Sequence, residues 1–169
     1  EITAVTLTDN TCSDGSQVEA LLEETCLEET RSQGADPNGP DPNLDTVGAD
    51  GAYDTFDVHE VISDYGATPV IPPRSTAKIK KHGNCKGPPL PRDETIRYIR
   101  QHGRTKWKRT HGYHRRSLAE TAMYRFKGLM GRFVEARTWD NEQTEVRLKA
   151  QVLNQMTRLG MPETSKTVS

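Results

Sequence analysis

The segment YHRRSLAETAMYRFK, residues 113–127, is the stretch on which the predicted fold depends. On an α-helix at about 100° per residue, four of its polar residues fall within about 60° of one another: Tyr113, Arg116, Glu120 and Lys127. Five apolar residues of this stretch and its continuation fall on the opposite side: Leu118, Ala122, Phe126, Leu129 and Phe133. The pattern predicts a helix that packs one face on a core and exposes a carboxylate flanked by two cations and a phenol. Such a polar face suits a metal-bound phosphate.

A second interpretation of the same segment begins the helix later. Residues 117–120, Ser-Leu-Ala-Glu, have the form of a capping box, in which Ser117 caps the first turn and Glu120 accepts a hydrogen bond from the Ser117 backbone N–H. Tyr113 and Arg116 would then precede the helix, and only Glu120 and Lys127 would keep the helical spacing. Spacing alone leaves both interpretations open.

The two halves of the chain carry opposite charge, although the net charge is −1. Residues 1–70 contain 16 Asp and Glu and one basic residue, whereas residues 71–169 contain 22 Lys and Arg and 8 acidic residues. Basic residues are densest in the segment 74–116, which we call the basic segment, and a polyanion such as nucleic acid is its natural partner. The alternative is that the two halves neutralise each other within the fold.

The composition predicts a small core. Apolar residues make up 33% of the 169 residues, which is low for a globular domain of this length. Either the core is small, or segments or partners outside this sequence complete it, and a start at Glu1 rather than Met favours missing segments. Cys12, Cys26 and Cys85 are too widely spaced to suggest a disulfide framework or a zinc site. Without a leader or a long apolar run, we expect a cytoplasmic protein that does not enter a membrane.

The order of predicted elements indicates an α/β fold. β-branched and apolar runs predict strands at residues 2–8, 46–49 and 68–71, and amphipathic patterns predict helices at residues 13–29 and 56–65 between them. Strands that alternate with helices are typical of an α/β sheet. Further helices are predicted at residues 92–102 and 141–159, a surface connection at residues 31–43 and a disordered tail at residues 163–169.

Asp50 is the second candidate for a functional carboxylate. It follows the predicted strand at residues 46–49, and Gly51 after it has no side chain to keep a ligand from the backbone. An Asp in this position is a common way to present a carboxylate at the C-terminal edge of a sheet. Asp-Gly is also a very common turn pair, so the local pattern leaves a catalytic and a turn role open.

Four motifs in order resemble bacterial insertion-sequence transposases of the DDE type. The spacing of Tyr113, Arg116, Glu120 and Lys127 resembles the Tyr-Arg-Glu-Lys signature of one subgroup. ADGAYDT at residues 49–55 resembles the second-aspartate segment of that family, PVIPPR at residues 69–74 the strand after it, and VLNQMTRLGMP at residues 152–162 its closing helix. The resemblance therefore covers nearly the whole chain.

The resemblance implies a ribonuclease-H-like fold in which two Asp and one Glu hold two divalent ions, Mg²⁺ or Mn²⁺. It identifies Asp50 and Glu120 as catalytic metal ligands. It assigns contacts to DNA phosphates to the signature and its basic neighbours: Tyr113, Arg116, Lys127, Arg115, Lys108 and Arg109. Residues 1–162 would form part of the catalytic domain, with the basic segment as an insertion that contacts DNA. The implied partners are double-stranded DNA and further copies of the protein, in the bacterial cytoplasm at the nucleoid.

One departure from the family pattern concerns the first aspartate. In the family it lies on a strand before the segment that ITAVTLTDN, residues 2–10, resembles, and no residue precedes Glu1. Asp9 matches the turn after that strand and not the catalytic position. We therefore expect a piece that lacks two strands and one ligand and is inactive alone. The alternatives are a non-catalytic module that binds DNA through the basic segment, and an interaction remnant whose acidic and basic halves pair between copies.

Overall fold

The computed structural model describes residues 1–8, 11–33, 44–81 and 86–160. The described strands are β1 (Thr46–Gly48) and β2 (Thr68–Val70). The described helices are α1 (Val18–Gln33), α2 (Phe56–Asp64), α3 (Pro91–His102), α4 (Arg104–Thr110), α5 (Ser117–Met130) and α6 (Trp139–Arg158). Short 3₁₀ turns lie at Asp14–Gln17, Gly51–Tyr53 and Tyr113–Arg116. The fold is mixed α/β, as the sequence predicts.

β1, α2 and β2 form a βαβ unit. The two strands are parallel, with Val47 opposite Pro69, and the pairing continues past β1 through a 3.4 Å bond from the Ala49 N–H to the Val70 carbonyl. Parallel strands need a crossover between them, and α2 supplies it. The Thr55 hydroxyl accepts a hydrogen bond from the Val58 N–H and so caps α2 at its start. The predictions of both strands and of this helix are confirmed.

The described core lies between α1 and the βαβ unit. Its buried apolar residues come from α1, from α2 and from the chain around β2: Val18, Leu22, Val58, Ile62, Ala67 and Ile71. The predicted amphipathic helix at residues 13–29 is therefore confirmed, although its first residues form a 3₁₀ turn and its end extends to Gln33. Four features singled out in the sequence fall wholly or mostly outside the described residues: the predicted connection at residues 31–43, Asp9, Cys85 and the tail at residues 163–169.

The predicted strand at residues 2–8 is wrong. This segment pairs with neither β1 nor β2, the two strands of the described sheet. Instead the Ile2 N–H donates to the Asn154 side-chain oxygen at 2.8 Å, and the Ile2 carbonyl accepts from the Asn154 amide at 2.7 Å. β-branched residues favour strands because they pack against neighbouring strands, and the described structure offers this segment the side of α6 instead.

The signature helix begins at Ser117, so the prediction of one α-helix from Tyr113 is wrong and the later start is correct. The predicted capping box is also absent at this described position. The Ser117 N–H is directed at the carbonyls of His114 and Arg115 and is not available to Glu120. The Ser117 hydroxyl donates to the His114 carbonyl at 2.8 Å, and Glu120 accepts from Arg116. The 3₁₀ turn thus continues directly into α5.

The apolar face of α5 is largely exposed, which contradicts the prediction that it packs on a core. Leu118 is 68% exposed and Phe133 is 83% exposed, and no residue within α5 itself is buried. α5 contacts α6, whose predicted helix is confirmed and whose buried residues are Val146, Ala150 and Leu153. That contact leaves Ala122 and Phe126 half-buried. Within the described part of the chain, no helix has the length and apolar content to cross a membrane.

The connection between α5 and α6 is held by a pair of charges. The Glu145 carboxylate accepts hydrogen bonds from the N–H groups of Glu135 and Ala136, both at 2.9 Å, and Lys149 binds both Glu145 and the Phe133 carbonyl. The Lys149 ammonium and the backbone donors hold the pKa of Glu145 below its usual range.

We expect Glu145→Gln to speed hydrogen exchange at the Glu135 and Ala136 amides and to leave exchange in α6 unchanged, measured by NMR. Unchanged exchange at Ala136 would contradict this role.

Candidate active site

Asp50 lies at the C-terminal end of β1, where the sequence predicts a carboxylate. It begins the Gly51–Tyr53 turn, and its Oδ1 accepts a 2.7 Å hydrogen bond from the Ala52 N–H. The turn role that the sequence left open is therefore real. This bond engages one carboxylate oxygen, so Asp50 can serve in the turn and also offer oxygen to a ligand. The side chain is half-buried.

The Gly51–Tyr53 turn is fastened to the segment that follows β2. The Arg74 guanidinium donates to the Gly51 carbonyl at 3.0 Å and to the Ala52 carbonyl at 2.6 Å. The approach is close, because a Cβ built on Gly51 would lie 3.4 Å from the Pro72 carbonyl oxygen. The segments that follow the C-terminal ends of β1 and β2 are therefore joined to each other at one edge of the sheet.

A buried ion pair holds the end of the Gly51–Tyr53 turn at this edge. The Arg92 guanidinium, on α3, forms two bonds to Asp54, from Nε to Oδ1 at 2.7 Å and from Nη2 to Oδ2 at 2.9 Å. Asp54 also accepts from the Arg74 N–H at 2.8 Å, and the His59 Nε2 lies 3.5 Å from its Oδ1. Burial raises the pKa of Asp54, but His59, Arg92 and the Arg74 N–H outweigh burial and hold that pKa far below its usual range.

Sequence reasoning missed this pair. Asp54 lies in the segment at residues 49–55 that carries the family resemblance, but Arg92 is 38 residues away, among many other basic residues. The neighbour of Arg92, Asp93, is fully buried and accepts hydrogen bonds from the N–H groups of Lys80 and Lys81. Part of the basic segment is therefore packed into the fold through α3. The sequence signal for this packing was the pair Asp93 and Glu94, the two acidic residues within the basic segment.

A second group of side chains lies at the start of α5. Lys108 Nζ is 5.2 Å from the centre of the Tyr113 ring and the Arg116 guanidinium carbon is 5.6 Å from it, so two cations flank this ring. Trp107, fully buried, lies against the Tyr113 ring with a centroid distance of 5.8 Å. Arg116 donates a 2.7 Å bond to Glu120, whose side chain is 59% exposed. Lys108, Tyr113, Arg116 and Glu120 thus form one continuous group.

The other predicted DNA contacts lie on the same turn and on the adjoining helices α4 and α5. Arg115 is exposed on the Tyr113–Arg116 turn. Arg109 lines an open groove of about 740 Å³ together with His102, Thr105, Lys106 and Thr110. Lys127 is exposed in the last turn of α5, about 10 Å along the helix axis from Glu120 at 1.5 Å per residue.

The two candidate carboxylates belong to neighbouring elements. The Tyr113–Arg116 turn lies against β1, the strand that leads into Asp50, and α5 with Glu120 follows from that turn. Carboxylate oxygens are ligands that Mg²⁺ and Mn²⁺ prefer, so the chemistry of Asp50 and Glu120 suits such ions. Across the described ranges, however, no three His, Cys, Asp or Glu side chains come together as a metal-binding group.

Comparison with known proteins gives one family. The family model of the transposase DDE domain matches residues 1–155. No solved structure matches the chain.

Proposed function

The chain belongs to the transposase DDE domain family, and from this membership we propose that residues 1–162 are part of the catalytic domain of a bacterial insertion-sequence transposase. The Tyr-Arg-Glu-Lys spacing supports the subgroup, and the parallel βαβ unit supports a ribonuclease-H-like fold. The observation that carries the proposal is the contact between the Tyr113–Arg116 turn and β1, because it brings the signature beside the strand that leads into Asp50.

Asp50 and Glu120 are proposed as two of three carboxylates that hold Mg²⁺ or Mn²⁺. When bound, paired divalent ions stabilise the charge that develops on the attacking and leaving oxygens of a phosphodiester. Water would attack the phosphorus at the transposon end and break its bond to the 3′ oxygen, which gives a 3′-hydroxyl and a 5′-phosphate. That 3′-hydroxyl would then attack a phosphorus of the target DNA, and the new bond would form as the target's own 3′ oxygen leaves.

Lys108, Tyr113 and Arg116 are proposed to hold DNA phosphates beside these carboxylates, with Arg115, Arg109 and Lys127 as further contacts. The planar guanidinium of Arg116 can bind two phosphate oxygens at once. In the structure the same guanidinium donates a hydrogen bond to Glu120. DNA binding would therefore take Arg116 from Glu120 and leave the Glu120 oxygens available to an ion. Double-stranded DNA and further copies of the protein are the proposed partners, in the bacterial cytoplasm.

Arg116→Gln is expected to weaken binding of double-stranded DNA. If Arg116 contacts one phosphate, the slope of log affinity against log salt should decrease by about 1, because one fewer counterion is released. Fluorescence anisotropy at several salt concentrations measures both quantities. Arg137→Gln is the matched control, since Arg137 is exposed and lies outside the basic segment. An unchanged slope for Arg116→Gln would remove this residue from the interface.

The second candidate function, a DNA-binding module without catalysis, is favoured by the open basic groove between α3 and α4. The two functions are distinguished by incubating the complete transposase with DNA that carries the element's ends. Catalysis predicts strand cleavage that requires Mg²⁺ or Mn²⁺ and stops in EDTA. Binding alone predicts steep salt dependence, no dependence on divalent ions and no cleavage.

A further inference from the structure

Arg74 and Asp54 hold each other's segments by reciprocal hydrogen bonds. The Asp54 carboxylate, at the end of the Gly51–Tyr53 turn, binds the Arg74 backbone N–H. The Arg74 side chain in return binds two carbonyls of that turn. Arg92 fixes the Asp54 carboxylate with two further bonds. The buried pair of Arg92 and Asp54 therefore also fixes the backbone of Arg74.

The bonds of Arg74 act on the residue that orients Asp50. Ala52 donates its N–H to the Asp50 carboxylate and accepts a hydrogen bond from Arg74 at its carbonyl. The backbone bonds that otherwise close the turn are long, 3.2 Å from the Tyr53 N–H to the Asp50 carbonyl and 3.4 Å from the Asp54 N–H to the Gly51 carbonyl. Because these backbone bonds are long, the conformation of the turn depends mainly on the bond between Ala52 and Asp50 and on the two bonds from Arg74.

We propose that Arg74 is a positioning residue for Asp50: it holds the Gly51–Tyr53 turn in the conformation that presents the Asp50 carboxylate to a divalent ion. The proposal rests on the proposed function, because it takes Asp50 as a metal ligand. The guanidinium lies on an exposed residue of the basic segment and would by sequence alone be assigned to DNA. Its two carbonyl partners direct it at the turn instead.

The first test needs neither metal nor activity. Hydrogen exchange is measured by NMR in this chain and in Arg74→Gln and Arg74→Lys variants. The proposal predicts that Arg74→Gln speeds exchange of the Ala52 amide about tenfold, because the two lost bonds are exposed and together contribute about as much as one typical hydrogen bond, with α2 and α3 unaffected. Lys keeps the charge but lacks the planar fork of donors that spans the two carbonyls, so it should restore part of the protection. Unchanged exchange at Ala52 would overturn the proposal, as would acceleration spread equally through α2 and α3.

The second test uses the complete transposase with DNA. Loss of a group that orients a metal ligand typically costs at least about tenfold in metal affinity. Arg74→Gln should therefore raise the Mn²⁺ concentration for half-maximal cleavage by about tenfold, while DNA affinity in EDTA and its salt slope stay unchanged. A salt slope lower by about 1 with an unchanged Mn²⁺ requirement would make Arg74 a DNA contact and overturn the proposal.

Failure of the proposed function has a different signature. If Asp50→Asn leaves the Mn²⁺ requirement of cleavage unchanged, Asp50 is not a ligand, and the proposed function fails together with the inference drawn from it. If Asp50→Asn abolishes cleavage while Arg74→Gln changes neither the Mn²⁺ requirement nor exchange at Ala52, the positioning role alone fails.

Discussion

Asp50→Asn is expected to reduce strand cleavage by the complete transposase by a factor of about 10³ or more, with DNA affinity within about twofold of the unmodified protein. Metal ions contribute several kcal/mol of transition-state stabilisation in such reactions, and about 4 kcal/mol corresponds to that factor. Asn keeps an oxygen that can accept the Ala52 N–H, so the turn should persist while the charge that binds the ion is lost. Single-turnover cleavage and fluorescence anisotropy provide the two measurements.

Asp64→Asn is the matched control for this substitution. Asp64 is exposed at the end of α2, and its neutralisation should leave cleavage unchanged. Glu120→Gln should reproduce the loss seen for Asp50→Asn, with Glu60→Gln, also exposed on α2, as its control. Cleavage above a tenth of the normal rate in Asp50→Asn would contradict its assignment as a catalytic ligand.

Asp54→Ala is expected to lower the free energy of unfolding of this chain by about 3–5 kcal/mol. The substitution leaves the Arg92 guanidinium buried without its carboxylate partner, and breaking a buried pair from one side has this cost. It is a large share of the about 5–15 kcal/mol that stabilises a typical domain. Urea unfolding followed by circular dichroism measures the change, with Asp64→Ala as an exposed control.

Arg92→Met in the Asp54→Ala background provides a further check on the cause. Removing the unpaired charge should restore part of the lost stability, because a well-packed apolar side chain can replace a buried pair at little cost. If the double variant is as unstable as the single one, the unpaired charge does not explain the loss.

The same pair gives a pH dependence with a defined sign. The pKa of Asp54 in the folded chain lies below its value in the unfolded chain, so protons bind the unfolded state more readily. The stability contributed by Asp54 is therefore complete above about pH 4 and is lost as the pH falls toward the folded pKa. The difference in free energy of unfolding between the unmodified chain and Asp54→Ala should therefore decrease steadily as the pH falls below 4.

The βαβ unit could be predicted because its signals are local. Strands of three residues are recognisable here because turn residues bound them and because α2 shows an apolar face between them. Asp50 follows from the same logic, since it is the first acidic residue after β1. The family resemblance then supplied the connection to Glu120, 70 residues later, that periodicity could not.

The features that sequence reasoning missed depend on partners distant in the chain. The segment at residues 2–8 has strand composition, but strand formation needs a neighbouring strand, and the described residues give its first backbone groups to Asn154. The Asp54 and Arg92 pair joins residues 38 positions apart, and no spacing rule selects one Arg from a basic run. The capping box failed because the His114 and Arg115 carbonyls already occupy the Ser117 N–H.

The proposed function requires Asp50 and Glu120 to bind the same metal centre, and iron-directed cleavage of the protein measures whether they do. Fe²⁺ replaces Mg²⁺ in the complete transposase bound to DNA, and ascorbate and peroxide then generate radicals that cut the chain beside the ion's ligands. We expect cuts at both residue 50 and residue 120, each suppressed by Mg²⁺ and each lost in Asp50→Asn. Cuts at one of these positions without the other would show that the two carboxylates do not share an ion.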